Sequence, residues 1–218
     1  MERHFTKSLE HLNGKLVTMG ATAETMIDKA IQALVERKAE LIQEVYRLEE
    51  EVNALQVEVD EEALRLLATQ QPMAADLRFL VAAMKINSEL ERIGDQAVNI
   101  CENTELLLQY PPLKPLIDLP AMADAARKMV RESLDCFMKR DAIEAEKVIV
   151  EDDRVDDYKD QIFRELLTYM MSDPATIPRA MSLVLISRNL ERIADQAVNI
   201  GEEVIYMVEG KDVRHPKK

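Results

Sequence analysis

The sequence predicts an all-α protein made of two tandem three-helix bundles, six long antiparallel helices in 218 residues. Three observations carry that prediction. The composition holds 5 Gly, 4 Phe, 5 Tyr and no Trp, too few turn glycines and β-forming aromatics for a sandwich or a barrel. Apolar residues recur in alternating steps of 4 and 3, the spacing of one helical face. The third observation is an internal repeat. Residues 87–100, NSELERIGDQAVNI, return as residues 187–200, SRNLERIADQAVNI, with 10 of 14 positions identical at an offset of 100.

Each element follows in turn. Leu12, Leu16, Met19, Ala23, Met26 and Ala30 line one face of a first helix. Leu41, Val45, Leu48, Val52, Leu55 and Val59 line a second, and Ile86, Leu90, Ile93, Ala97 and Ile100 a third. Neither Gly nor Pro interrupts residues 21–71 or 121–173, so the breaks inside those spans are expected to be tight helical hairpins near Arg37-Lys38-Ala39 and Lys139-Arg140-Asp141. Pro72 and Pro174 are expected to mark the starts of the third and sixth helices, since a first turn tolerates the missing N–H. Weaker echoes extend the repeat: Glu49-Glu50-Glu51-Val52-Asn53 lies over Asp152-Asp153-Arg154-Val155-Asp156, and Leu66-Leu67 over Leu166-Leu167. Between the copies, residues 110–120 hold four prolines, which no helix interior tolerates. The expected organisation is a first bundle over 1–110, a linker over 111–120 and a second bundle over 121–218.

Charge and cysteine usage narrow the class. Asp plus Glu number 41 against 28 Lys plus Arg, a formal charge of −13 that repels a polyanion and argues against nucleic acid as a partner. Cys101 and Cys136 are isolated thiols rather than a disulfide framework, which points to a reducing cytoplasm and to buried, inert packing residues. Met1-Glu2-Arg3-His4 lacks a basic start and apolar stretch, and the apolar runs Phe79–Met84 and Ala180–Ile186 fall far short of the roughly 18 residues that span a bilayer. A membrane is expected to be reached only through partners. Phosphate-loop, dinucleotide, nucleophile-elbow and CxxC motifs are missing, and no catalytic set is assigned.

The acidic stripe asks for a function. On the third helix, Glu91, Asp95 and Asn99 fall roughly 100° to 180° from the Leu90 seam, and Glu191, Asp195 and Asn199 repeat the pattern on the sixth. Exposed positions drift readily after duplication, because such changes cost only about 0.5 kcal/mol, yet this stripe is kept. Residues at i and i+4 place two oxygen donors about 6 Å apart, suited to sharing a hard cation. The second helix of each bundle would complete the site: Glu49 and Asn53 in the first copy, Asp152 and Asp156 in the second, with Asp153 and Asp157 adding a further pair. Four carboxylates in the second copy, against Asn53 in the first, predict tighter metal binding by the second. The bland alternative is a solvated face with Arg92 and Arg192 as local ion partners. His4, His11 and His215 all lie near the termini, so the Glu-x-x-His pattern of di-iron bundle oxidases is missing.

The doubled L-E-R-I-[GA]-D-Q-A-V-N-I, the E-E-E-V-N and D-D-R-V-D segments, and the T-Q-Q-P-M-A-A-D-L-R and L-T-Y-M-M-S-D-P-A-T-I-P helix entries together resemble the PhoU family of bacterial phosphate-transport accessory and regulatory proteins. The resemblance runs over nearly the whole chain. It implies tandem three-helix bundles in a cytoplasmic homodimer that represses phosphate-starvation genes and restrains phosphate import. It also implies two partners, the ATP-binding subunit of a phosphate ABC importer and a phosphate-sensing histidine kinase. In that family [ED]-x-x-x-D motifs carry multinuclear metal clusters, of Fe, Mn, Zn or Mg here, and they map onto Glu91/Asp95, Glu191/Asp195 and Asp152/Asp156. Asn53 departs from the pattern where a carboxylate would complete the first copy. Two other function classes stay open: a two-metal phosphohydrolase using the acidic clusters, and a helical scaffold whose acidic faces only keep it dissolved.

Overall fold

The computed structural model describes residues 2–214, with side chains from Phe5 onward. Six α-helices run in order: α1 (Glu2–Glu36), α2 (Ala39–Gln70), α3 (Ala74–Leu108), α4 (Asp118–Lys139), α5 (Ala142–Ser172) and α6 (Ile177–Glu209). A 3₁₀ turn, Pro174–Thr176, leads into α6, and no strand occurs among the described residues. The apolar spacing decides the packing, for Leu12, Leu16, Met19, Ala23, Met26 and Ala30 are all fully buried, as are Ile86, Leu90, Ile93, Ala97 and Ile100. Helices α1, α2 and α3 pack on one another, and α4, α5 and α6 do the same.

The hairpins fall where the sequence places them. Arg37 and Arg140 both take left-handed backbone (φ 57° and 53°), the conformation that ends a helix abruptly and lets the chain reverse within two residues. Asp141 then caps α5, its side chain accepting from the N–H groups of Ile143 and Glu144 at 3.1 Å each. Three proline positions differ from expectation. Pro72 stands two residues ahead of α3, and Pro174 opens the 3₁₀ turn, whereas Pro178 occupies the first turn of α6 proper. Pro120 belongs to α4, within its first turn, where no backbone N–H is needed.

The two triads are joined by two antiparallel helix pairs. Across α3 and α6, Lys85 Nζ donates to both carboxylate oxygens of Glu203 (2.8 and 3.0 Å), and Asn199 Nδ2 donates to Glu89 Oε2 (3.3 Å). Across α1 and α4, Arg131 pairs with Glu24 (2.6 Å) and Arg127 with Asp28 (2.8 Å). Facing numbers rise on one helix as they fall on the other, so an approximate two-fold axis relates the repeats. Arg78 Nε donates to the Met207 carbonyl at 3.1 Å, and on the opposite side Arg179 Nη1 donates to the Pro111 carbonyl, also at 3.1 Å. The buried apolar residues of both repeats form one continuous core.

Candidate functional site

The acidic side chains lie along two grooves, α2/α3 in the first repeat and α5/α6 in the second. Helical phase turns Glu91 away from the buried Leu90 and toward α2, where Glu49 stands on the turn before the buried Val52. Glu49 and Glu91 are half-buried, and Asp95 and Asn53 are exposed. Burial first, and then the Asp95 charge, raises the carboxyls of Glu49 and Glu91 above the ordinary range; burial raises Asp95. A hydrogen bond with Asn53 works in the other direction on Glu49.

The second groove is more crowded. Asp152 is half-buried and its carboxyl is pushed up to about 6, by burial first and then by the charges of Asp195, Asp156 and Glu191. Asp195 is raised for the same two reasons, burial and then Glu191 and Asp156. The four second-repeat residues singled out from the sequence therefore share one electrostatic neighbourhood, as do Glu49, Glu91 and Asp95 in the first. Lys159 stands among the second set, a residue the sequence argument leaves out. Its Nζ donates to Asp156 Oδ1 at 2.6 Å and to Glu191 Oε1 at 3.1 Å, and those hydrogen bonds push the ammonium well above its usual range against the opposing effect of burial. With one ammonium among four carboxylates, the second groove carries the same formal charge as the three-carboxylate first groove. The charge count that ranked the second copy as the tighter metal site therefore loses its basis.

The donors suit a hard divalent cation: carboxylate and amide oxygens on adjacent helices, held close enough to repel one another. As positioned, no group of three or more His, Cys, Asp or Glu side chains is arranged to hold a metal ion among the described residues. Of the histidines, His11 donates from Nδ1 to the Glu62 carboxylate (3.0 and 3.1 Å), away from both grooves; the side chains of His4 and His215 lie outside the described residues. Cys101 and Cys136 are free and buried, and burial pushes their thiols up to about 12 and about 11.

The repeat also encodes a second face. Lys85, Glu89, Arg92, Gln96, Asn99 and Asn103 recur at steps of 4 and 3, so they share the side of α3 that carries its contacts to α6; Asn189, Arg192, Gln196, Asn199 and Glu203 share the matching side of α6. Arg92 accordingly pairs with Glu89 (3.1 Å), one face away from Glu91. Gln96 and Gln196 are each 8% exposed, and each leaves its carbonyl oxygen without a hydrogen-bond partner among the described residues. Preservation of R-I-[GA]-D-Q-A-V-N therefore serves core, inter-repeat seam and acidic groove at once. No described helix is long and apolar enough to cross a membrane.

Comparison with known proteins agrees with this architecture. The PhoU domain family model matches twice, over residues 16–104 and 119–204. The chain is 41% identical over 209 residues to the "Phosphate-specific transport system accessory protein PhoU homolog" of Aquifex aeolicus, covering 96% of this chain and 95% of that one. It is 36% identical to the Escherichia coli "Phosphate-specific transport system accessory protein PhoU", covering 97% and 88%. The crystal structure of PhoU from Pseudomonas aeruginosa superimposes with a TM-score of 0.91 at 36% identity, covering 95% of this chain and all of that one. The phosphate transport system regulatory protein PhoU from Streptococcus pneumoniae superimposes with a TM-score of 0.88 at 27% identity. Two matches to the domain model, relatives aligned over most of their length and a close structural superposition give one conclusion: this chain belongs to the PhoU family.

Proposed function

We propose that this protein is a regulatory adaptor of phosphate homeostasis, a cytoplasmic homodimer that restrains phosphate uptake and the phosphate-starvation regulon. In this role it couples the ATP-binding subunit of the phosphate importer to a phosphate-sensing histidine kinase. The observation that carries the proposal is near-full-length similarity to proteins named as transport accessory proteins, in both repeats at once. Such a protein acts by contact, and the two acidic grooves are the surfaces where contact chemistry is concentrated. Like charges held half-buried raise one another's pKa, and that repulsion is relieved by a divalent metal or by a partner's cation.

Each groove is proposed to hold a metal, Fe, Mn, Zn or Mg. The candidate ligands are Glu49, Asn53, Glu91 and Asp95 in the first groove, and Asp152, Asp156, Glu191 and Asp195 in the second. When bound, the metal would neutralise the groove and bridge its two helices. Deleting the gene should raise alkaline phosphatase and importer expression in phosphate-rich medium, and capture of the tagged protein from high-phosphate cells should bring down the importer subunit and the kinase. Unchanged reporter output in the deletion strain would remove the adaptor proposal.

A further inference from the structure

The approximate two-fold axis relates two corners of the molecule that are built differently. Aligning the repeats pairs Phe137 of α4 with Leu34 of α1 and Arg140 with Arg37, each 103 residues apart, and Met207 with Leu107 and Arg179 with Phe79, each 100 apart. At one corner the space is full. Phe79 and Phe137, both buried, stack with ring centroids 5.5 Å apart and planes 13° from parallel, and the Arg140 guanidinium lies 5.4 Å from the Phe79 ring centre.

At the related corner both rings are missing. Leu34 stands in place of Phe137, and Arg179 turns outward to donate to the Pro111 carbonyl. What remains is a hollow of about 230 Å³ beneath the proline linker, walled by Leu34, Leu107, Leu113, Leu116 and Leu183. Cavities of about 150 Å³ lined by aliphatic and aromatic side chains take benzene, so this one has room for a fused bicyclic ring.

The ionisable groups lining the hollow are both cations, Arg37 and Lys114, in a chain of net charge −13. Lys114 is paired with Glu165. Arg37 is fixed in place. Its backbone is left-handed, and its Nη2 donates to the carbonyls of Leu107 (3.3 Å), Leu108 (3.0 Å) and Tyr110 (2.7 Å), which leaves Nε and Nη1 without a protein acceptor among the described residues.

We propose that this hollow is a binding site for a compact aromatic carboxylate. Its ring takes the place that Phe79 fills at the related corner, and its carboxylate accepts from Nη1 of Arg37. The protein's own filled corner supplies the template: an aromatic ring lying under an arginine that ends a helix in left-handed conformation. The inference does not depend on the adaptor role.

Isothermal titration of the full-length protein with 2-naphthoate, and in parallel with the uncharged 2-naphthamide, tests it. One site per chain is expected, with the amide about tenfold weaker, the loss of one charge-assisted contact. Arg37→Gln should remove the preference for the acid. Arg179→Phe, which rebuilds the missing ring inside the hollow, should abolish binding of both. Should either variant melt below the titration temperature, Leu113→Trp on the linker fills the same space and should block binding. Absence of saturable binding, equal affinity for acid and amide in the wild type, or undiminished binding once the hollow is filled would overturn the proposal.

Discussion

Asp152 sits in the second groove with three other carboxylates near it and a folded-state pKa of about 6. An unfolded aspartate titrates near 4. The folded chain therefore holds an extra proton between about pH 4 and about pH 6, and the stability associated with this group falls as pH rises through that window, then stays level above it. Asp152→Asn removes the penalty. In chelated buffer its Tm is expected to exceed that of wild type by about 2–4 °C at pH 7.5, with the two curves converging toward pH 4; a constant offset across pH would locate the effect elsewhere. Lys159 makes a second prediction. Its ammonium occupies Asp156 and Glu191, so Lys159→Gln should tighten Mn²⁺ binding by about tenfold in calorimetric titration, while Asp195→Asn should weaken it with unchanged far-UV circular dichroism. If Lys159→Gln leaves the titration unaltered, the second groove is not the metal site.

Helix α1 meets α4 where Gly20 faces the Leu134 side chain. A Cβ built on Gly20 would lie 2.1 Å from Leu134 Cδ1, so any side chain placed there has to displace that methyl group. Leu134 can swing aside for a methyl group but not for a branched one, and Gly20→Val is expected to cost about 1–3 kcal/mol, read as a shift of the urea midpoint at constant slope. The sequence discloses α1 to α6 readily, because each buries one apolar face and 4-and-3 spacing reports that face. The hairpins at Arg37 and Arg140 are legible for a related reason: nothing else in those spans could break a helix. A helical wheel centred on Leu90 has only one seam, however, and assigns the remaining arc to solvent. In the molecule α3 and α6 each touch three other helices, so Glu89 and Gln96 are contact residues rather than surface, and Glu91 is half-buried against α2. Lys159 escapes a search for acids because a cation three residues after Asp156 reads as an ordinary surface pair. The hollow at Arg37 is equally hidden, since it arises from what Leu34 and Arg179 fail to fill.

The two repeats share one packed core. Phe79 of the first repeat stacks on Phe137 of the second, Gly20 abuts Leu134, and the buried apolar residues are continuous from α1 to α6. Scanning calorimetry should show a single transition whose van't Hoff and calorimetric enthalpies agree; two resolved transitions would mean that the repeats melt separately. The antiparallel pairing of α3 with α6 has a further effect. Each repeat carries its own acidic groove, and the two-fold relation fixes the distance and orientation between them within one covalent chain. On the adaptor proposal, one chain would thus offer two contact surfaces without needing a second subunit. A dimeric partner that engages one groove presents its other copy to the second groove at an effective concentration that reaches about millimolar for short connections, so two individually weak contacts can hold firmly and still release one at a time.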